Sequence, residues 1–258
     1  MSSQLLILGL HRVGQPPVDA TIRGLFITPR LLSFEIYLLK LLGYRFATLR
    51  DAMIENDRNV AVITFDDGYS DNLTAALPVL RKHGVPATIF VVTNDIGKCD
   101  VVWEEAGEKL PADLACWRSL AKLRADGWEV ASHAHEHVHL TARSEESQAE
   151  LVKRSMDLIE EHLGERPISF AYPYGDYDEV TKRVLFRQGI RYAVTTDPAN
   201  FSDDLVPRDN HSLTRLCLGG RHFYHYFRAL FRTLRVTTGL ASIPGTVVSH
   251  ASVPSIAD

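Results

Sequence analysis

The sequence predicts one α/β domain whose parallel strands wind into a barrel. Three observations predict it. Short β-branched or apolar runs alternate with amphipathic stretches from end to end. No composition shift or interdomain linker separates the two halves. The length, 258 residues, suits a single α/β barrel. A doubly wound open sheet is the alternative, and in either architecture chemistry belongs beyond the C-terminal ends of the strands.

The elements read as follows. Leu5 to Leu10 is a buried strand, and Leu31 to Leu42 carries apolar residues at helical spacing. Val60 to Thr64 is a strand, Asp71 to His83 a helix closed by Gly84, and Ala87 to Val92 the next strand. Trp117 to Ala125 reads as a helix ending near Gly127, and Trp128 to Ala131 as a strand. Ser144 is the expected N-cap of a long helix reaching Leu163, stopped by Gly164 and Pro167. Ile168 to Tyr172, Asp178 to Gln188 and Tyr192 to Thr195 continue as strand, helix, strand.

Composition narrows the function. With 28 Lys+Arg against 32 Asp+Glu, the net charge of -4 argues against nucleic acid as a partner, because counterion release rewards concentrated positive charge. Cys99, Cys116 and Cys217 are widely separated and form no CxxC pair, so neither a disulfide framework nor a thiolate metal site is expected. No run of about 18 apolar residues and no basic, apolar leader is read, so the expected location is cytoplasmic.

Two strand ends carry chemistry. After Val60 to Thr64 stand Asp66, Asp67 and Gly68. Adjacent carboxylates repel unless a cation or hydrogen bonds hold them, although a lone Asp-Asp-Gly is usually only a turn. After Trp128 to Ala131 stand His133, His135, His137 and His139, four histidines in seven residues. Histidines four apart meet on one face of a helical turn, so His133 with His137, or His135 with His139, could join Asp67 in a two-histidine, one-carboxylate metal site. His11 and Arg12 follow the first strand, where the same rule puts them at the active-site mouth.

Together these residues resemble the polysaccharide deacetylases, the carbohydrate esterases that share the NodB homology domain. The resemblance runs through Thr64 to Gly68, Ser132-His133 to His137 and Leu140, and Tyr172-Pro173-Tyr174-Gly175. It extends over Gly43-Tyr44-Arg45 and Gly84 to Val92, covering most of Leu5 to about Leu216. It implies a distorted (β/α)7 barrel that removes N-acetyl groups from an amino-sugar polysaccharide or glycan precursor. It makes Asp66 the general base, Asp67, His133 and His137 the ligands of a divalent ion, usually zinc and sometimes cobalt, and the backbone of Tyr174 part of the oxyanion site. His135 and His139 fall at variable positions of the motif.

Two departures stand out. The common family acid, a histidine near the C-terminus, has no strong counterpart here. Gly9-Leu10-His11-Arg12 resembles a circularly permuted arrangement, which makes His11 the expected acid. His250 competes, but it lies in a nearly uncharged segment rich in Ser, Gly and Pro. Ala171 stands where many relatives have an arginine that orients the base, leaving Arg12, Arg208 and Arg215 as replacements. Were none to reach Asp66, a degenerate glycan-binding protein would be the better reading. An amide hydrolase of small nitrogen compounds is a further alternative.

The deacetylase domain is expected over residues 1–236, followed by a flexible tail at 237–258. Within Arg221 to Arg235, Phe223, Phe227, Leu230, Phe231 and Leu234 recur at helical spacing with arginines nearby. This predicts a surface helix covering the barrel, with membrane-surface contact the less favoured use.

Overall fold

The computed structural model describes residues 5–20, 22–55, 59–102, 112–196 and 209–217. In chain order the elements are β1 (Leu5–Leu10), β2 (Arg12–Val13), β3 (Phe26–Ile27), α1 (Pro29–Leu41), β4 (Arg45–Ala47) and α2 (Leu49–Glu55). Then come β5 (Val60–Phe65), α3 (Leu77–His83), β6 (Thr88–Val91), α4 (Trp117–Ala125), β7 (Glu129–Ser132) and α5 (Glu145–Leu163). The described chain ends with β8 (Ser169–Ala171), α6 (Glu179–Gln188), β9 (Tyr192–Thr195), β10 (Leu213–Thr214) and β11 (Leu216–Cys217).

The main sheet runs β10-β9-β8-β7-β6-β5-β1-β11, with β4 on the β5 edge, and its pairings are parallel. Its two ends, β10 and β11, are consecutive in the chain and separated only by Arg215. Leu213–Thr214 pairs with β9 and Leu216–Cys217 with β1, so the segment 213–217 closes the sheet into a distorted ring. With β1, β5, β6, β7, β8 and β9 it makes seven staves.

Alternation along the strands separates two cores. Leu6, Leu8, Leu10, Ile63 and Phe65 face outward against Leu32, Ile36 and Leu39 of α1, Leu80 of α3, and Leu120 and Leu123 of α4. Ile7, Val60, Val62, Phe90, Ala131, Ala171, Val194 and Leu213 form the interior cluster. Burying each of these larger side chains stabilises the fold by about 1.5–3 kcal/mol before chain entropy is counted. At the N-terminal ends of the strands α2 adds Leu49 and Ala52 to that cluster. Its first N–H groups are anchored, Leu49 to Thr88 Oγ1 at 2.8 Å and Arg50 to Glu129 Oε2 at 3.0 Å.

The helices start and stop where their residues dictate. Thr28, Ser144 and Asp178 accept hydrogen bonds from Leu31, Ser147 and Thr181 N–H and cap α1, α5 and α6, each cap contributing about 1 kcal/mol. Gly164 ends α5 in the left-handed conformation, as its position after Leu163 predicts.

The structure departs from the sequence reading in several places. The helix expected from Asp71 opens instead with a π turn over Asn72–Ala76, and α3 begins only at Leu77. The short β4 and α2 were not read, because three and seven residues carry too little periodicity. The helix at 221–235, the boundary at 236 and the tail at 237–258 lie outside the described residues. No helix among the described residues is long and apolar enough to cross a membrane.

Candidate active site

Interior positions that are apolar lower in the barrel become polar at its C-terminal rim. Val60 and Val62 are followed on the same face by Thr64 and Asp66, Ala131 by His133, and Leu213 by Arg215. All four polar residues are almost fully buried. Strand period thus delivers side chains from β5, β7 and the closing segment to one end of the barrel.

Asp66 and Asp67 are neighbours with different partners. Arg215 grips Asp66 in a fork, Nη1 to Oδ1 and Nη2 to Oδ2, both at 2.6 Å. Arg215 Nη1 also donates to Thr64 Oγ1 at 3.1 Å, and its side chain is fully buried. Burial opposes ionisation of Asp66, but the Arg215 charge and hydrogen bonds, helped by His133 and His11, outweigh it and hold the carboxyl below its ordinary 3.8. His11 Nε2 lies 3.9 Å from Asp66 Oδ2.

Asp67 turns the other way because its backbone is left-handed, with φ of 73°, as is that of Gly68 at 80°. A side chain at Gly68 would meet Val91 Cγ1 at 3.1 Å, which fixes glycine there. Asp67 Oδ1 lies 3.4 Å from both His133 Nε2 and His137 Nε2. Burial opposes its charge too, but the polar surroundings made by His133, His137 and His11 outweigh it and hold the carboxyl well below the usual carboxylate range.

His133 donates from Nδ1 to the Ala171 carbonyl at 2.7 Å, which leaves the Nε2 lone pair facing Asp67. Burial pushes His137 down to about 4, against the opposing pull of Asp67, and the neutral imidazole is the ligating form. Ligand atoms of Asp67, His133 and His137 lie within 4.8 Å of one another. Asp67 Oδ1 is buried and accepts no hydrogen bond. A buried, unbonded carboxylate oxygen facing two imidazole nitrogens is the donor set a divalent cation requires, so these residues fit one.

The two histidines meet through a loop, which corrects the expected helical turn. Residues 133–139 contain no helix, and Ala134 adopts φ of 65°. The alternative pair is not brought together. His135 is buried against Thr93 Oγ1 at 3.0 Å, whereas His139 pairs with Asp176 at 2.9 Å and stacks on Tyr174 with centroids 4.0 Å apart. Tyr174 is itself left-handed at φ of 60°, and its ring edge meets His137 at 4.4 Å. Asp67, Ala134 and Tyr174 are three of the five non-glycine residues with positive φ among the described residues, a concentration of backbone strain at one place.

Of the three candidate arginines, Arg215 reaches Asp66. Arg12 pairs instead with Asp71, Nε to Oδ2 at 3.2 Å. Arg208 and His250 lie outside the described residues. The expectation of a degenerate site for want of an arginine therefore loses its ground. Tyr69 was missed by the sequence reading. Its buried hydroxyl hydrogen-bonds Asp67, and burial with that negative charge raises it well above the ordinary tyrosine value. Cys99 and Cys116 are exposed free thiols.

Comparison with known proteins gives matches over the same region. The family model described as polysaccharide deacetylase matches residues 54–193, just over half of the chain. YxkH of Bacillus subtilis, a protein named as a polysaccharide deacetylase, is 30% identical over 168 residues, 63% of this chain and 56% of its own length. The chain thus spans little more than half of that relative. The poly-beta-1,6-N-acetyl-D-glucosamine N-deacetylase of Staphylococcus epidermidis is 23% identical over 217 residues, covering 78% of this chain and 71% of its own. Among solved structures, IcaB from Ammonifex degensii superposes with a TM-score of 0.73 at 24% identity, covering 89% of this chain and 97% of its own, and supports the fold.

Proposed function

We propose, because this chain belongs to the polysaccharide deacetylase family, that it is a metal-dependent hydrolase removing N-acetyl groups from an N-acetylglucosamine polymer. The observation that carries the proposal is the division of labour between adjacent carboxylates: Asp66 locked to Arg215, and Asp67 facing His133 and His137. The polymer is suggested by the substrate named for the Staphylococcus epidermidis relative.

In this reading Asp67, His133 and His137 hold the ion. A bound divalent ion, zinc or cobalt being the expected choices, acidifies water and polarises an acyl oxygen. Asp66 is the general base. Its low pKa keeps it ionised at neutral pH, and Arg215 fixes its orientation, so it accepts the proton of the attacking water. His11 delivers a proton to the departing amine nitrogen, so that water and the acetamide become acetate and the free amine. The Tyr174 backbone, held in its left-handed turn, stabilises the oxygen that gains negative charge.

The test is acetate release from β-1,6-linked N-acetylglucosamine oligosaccharides with added zinc or cobalt. Release by the wild type and not by Asp66→Asn is expected. No release with either metal, or equal release from both proteins, overturns the proposal.

A further inference from the structure

His11 stands between β1, whose Leu10 carbonyl accepts from the Asp66 N–H at 2.9 Å and so fixes its N-terminal side, and the much shorter β2. β2 holds two residues and pairs only with the two residues of β3. Its restraint comes instead from residues just past the Asp-Asp-Gly turn. Asp71 accepts from the Val13 N–H through Oδ1 at 2.9 Å and from Arg12 Nε through Oδ2 at 3.2 Å. Asn72 Nδ2 donates to the His11 carbonyl at 2.9 Å and to Asp71 Oδ1 at 3.1 Å. The Arg12 guanidinium lies over Phe26 at 4.8 Å and over Tyr69 at 5.0 Å. The π turn over Asn72–Ala76 starts at this point, a distortion that recurs at functional sites.

We propose that Asp71 is a positioning residue that, through Arg12 and the Val13 N–H, holds the His11 imidazole against Asp66. The inference rests on the reading of His11 as the proton donor to the leaving amine. Asp71 itself touches neither substrate nor ion. It fixes the residues on the C-terminal side of His11, while Asn72 fixes the His11 backbone itself.

A double-mutant cycle tests this, with acetate release from the same oligosaccharides, bound metal and melting temperature measured on each protein. His11→Ala is expected to lower kcat about a hundredfold. Asp71→Ala is expected to lower kcat about tenfold, with KM and bound metal within about twofold of wild type, because the loss lies in proton delivery rather than binding. In the His11→Ala background, Asp71→Ala should cost less than about twofold. Asp71→Asn, which keeps an acceptor for the Val13 N–H, should recover part of the rate and serves in the cycle should the alanine variant not fold. A readout independent of turnover is the His11 ring Hε1 resonance, which Asp71→Ala should broaden or split while that of His135 stays. Equal penalties in both backgrounds, or no penalty in either, overturn the positioning role. Full turnover by His11→Ala overturns the reading of His11 as the acid and the inference with it.

Discussion

The guanidinium of Arg215 and the carboxylate of Asp66, 149 positions apart in the chain, meet in a two-point fork inside the barrel. Removing one partner of such a buried pair leaves an uncompensated charge and costs about 3–5 kcal/mol. Arg215→Met should therefore lower the melting temperature strongly. Arg215→Lys keeps the charge but loses the fork, and should lower kcat/KM about tenfold. Because the folded Asp66 value lies below 3.8, the pair adds stability above that pH and loses it as pH falls through the folded value. Weakening the pair raises that value, so the acid limb of kcat/KM should move to higher pH in Arg215→Lys. An unmoved limb would separate Arg215 from the ionisation of Asp66.

Metal content should divide the histidines. His133→Ala, His137→Ala and Asp67→Ala are expected to lose bound zinc, measured as moles of metal per mole of protein after dialysis. His139→Ala should keep it, since His139 is directed to Asp176 and Tyr174. Asp66→Asn should retain the metal and lose at least about a hundredfold in kcat. Zinc retained by His133→Ala at wild-type affinity would remove that residue from the ligand set.

Gly175 is a point where the Tyr174 turn tolerates no side chain. Its φ is 79°, and an added Cβ would collide with Thr196 Oγ1. Gly175→Ala should destabilise by about 1–3 kcal/mol from backbone strain alone and lower kcat by displacing Tyr174. Thermal melts and acetate release read the two effects separately.

Glu129, at the far end of the barrel, gives a pH dependence of stability unrelated to turnover. Burial raises its carboxyl above 4.5 despite hydrogen bonds from the Arg50 N–H and Thr88. A raised folded value means that stability is full below the unfolded pKa and declines as pH rises through the folded one. Glu129→Gln removes this titration. The melting temperature of the variant relative to wild type should therefore increase from pH 5 to pH 8, and a constant difference would disprove it.

Much of this was legible in the sequence where a residue pattern and a strand end coincide. Leu5 to Leu10 and Val60 to Thr64 read as strands because their runs are uninterrupted, and Asp66, Asp67 and His133 follow directly from where such runs end. The closing segment was opaque. Leu213 to Cys217 is too short for a periodic signal, and an arginine in its middle reads as loop, although Leu213 and Arg215 do share one face. The partner of Arg215 is set by ring closure, which no local pattern encodes. The His133–His137 spacing fits a helical turn and a loop equally well, and only the left-handed Ala134, a residue with no preference for that conformation, decides between them.

The seam at Arg215 also ties the order of assembly to competence. The strands that carry Asp66, Asp67, His133 and His137 all precede residue 140, but the cation that neutralises Asp66 arrives only with the last stave. Contacts of such long sequence separation form late, because the loop entropy must be overcome first. The donor group of Asp67, His133 and His137 and the partner of Asp66 are thus supplied by different stretches of the chain, the second only where the ring closes.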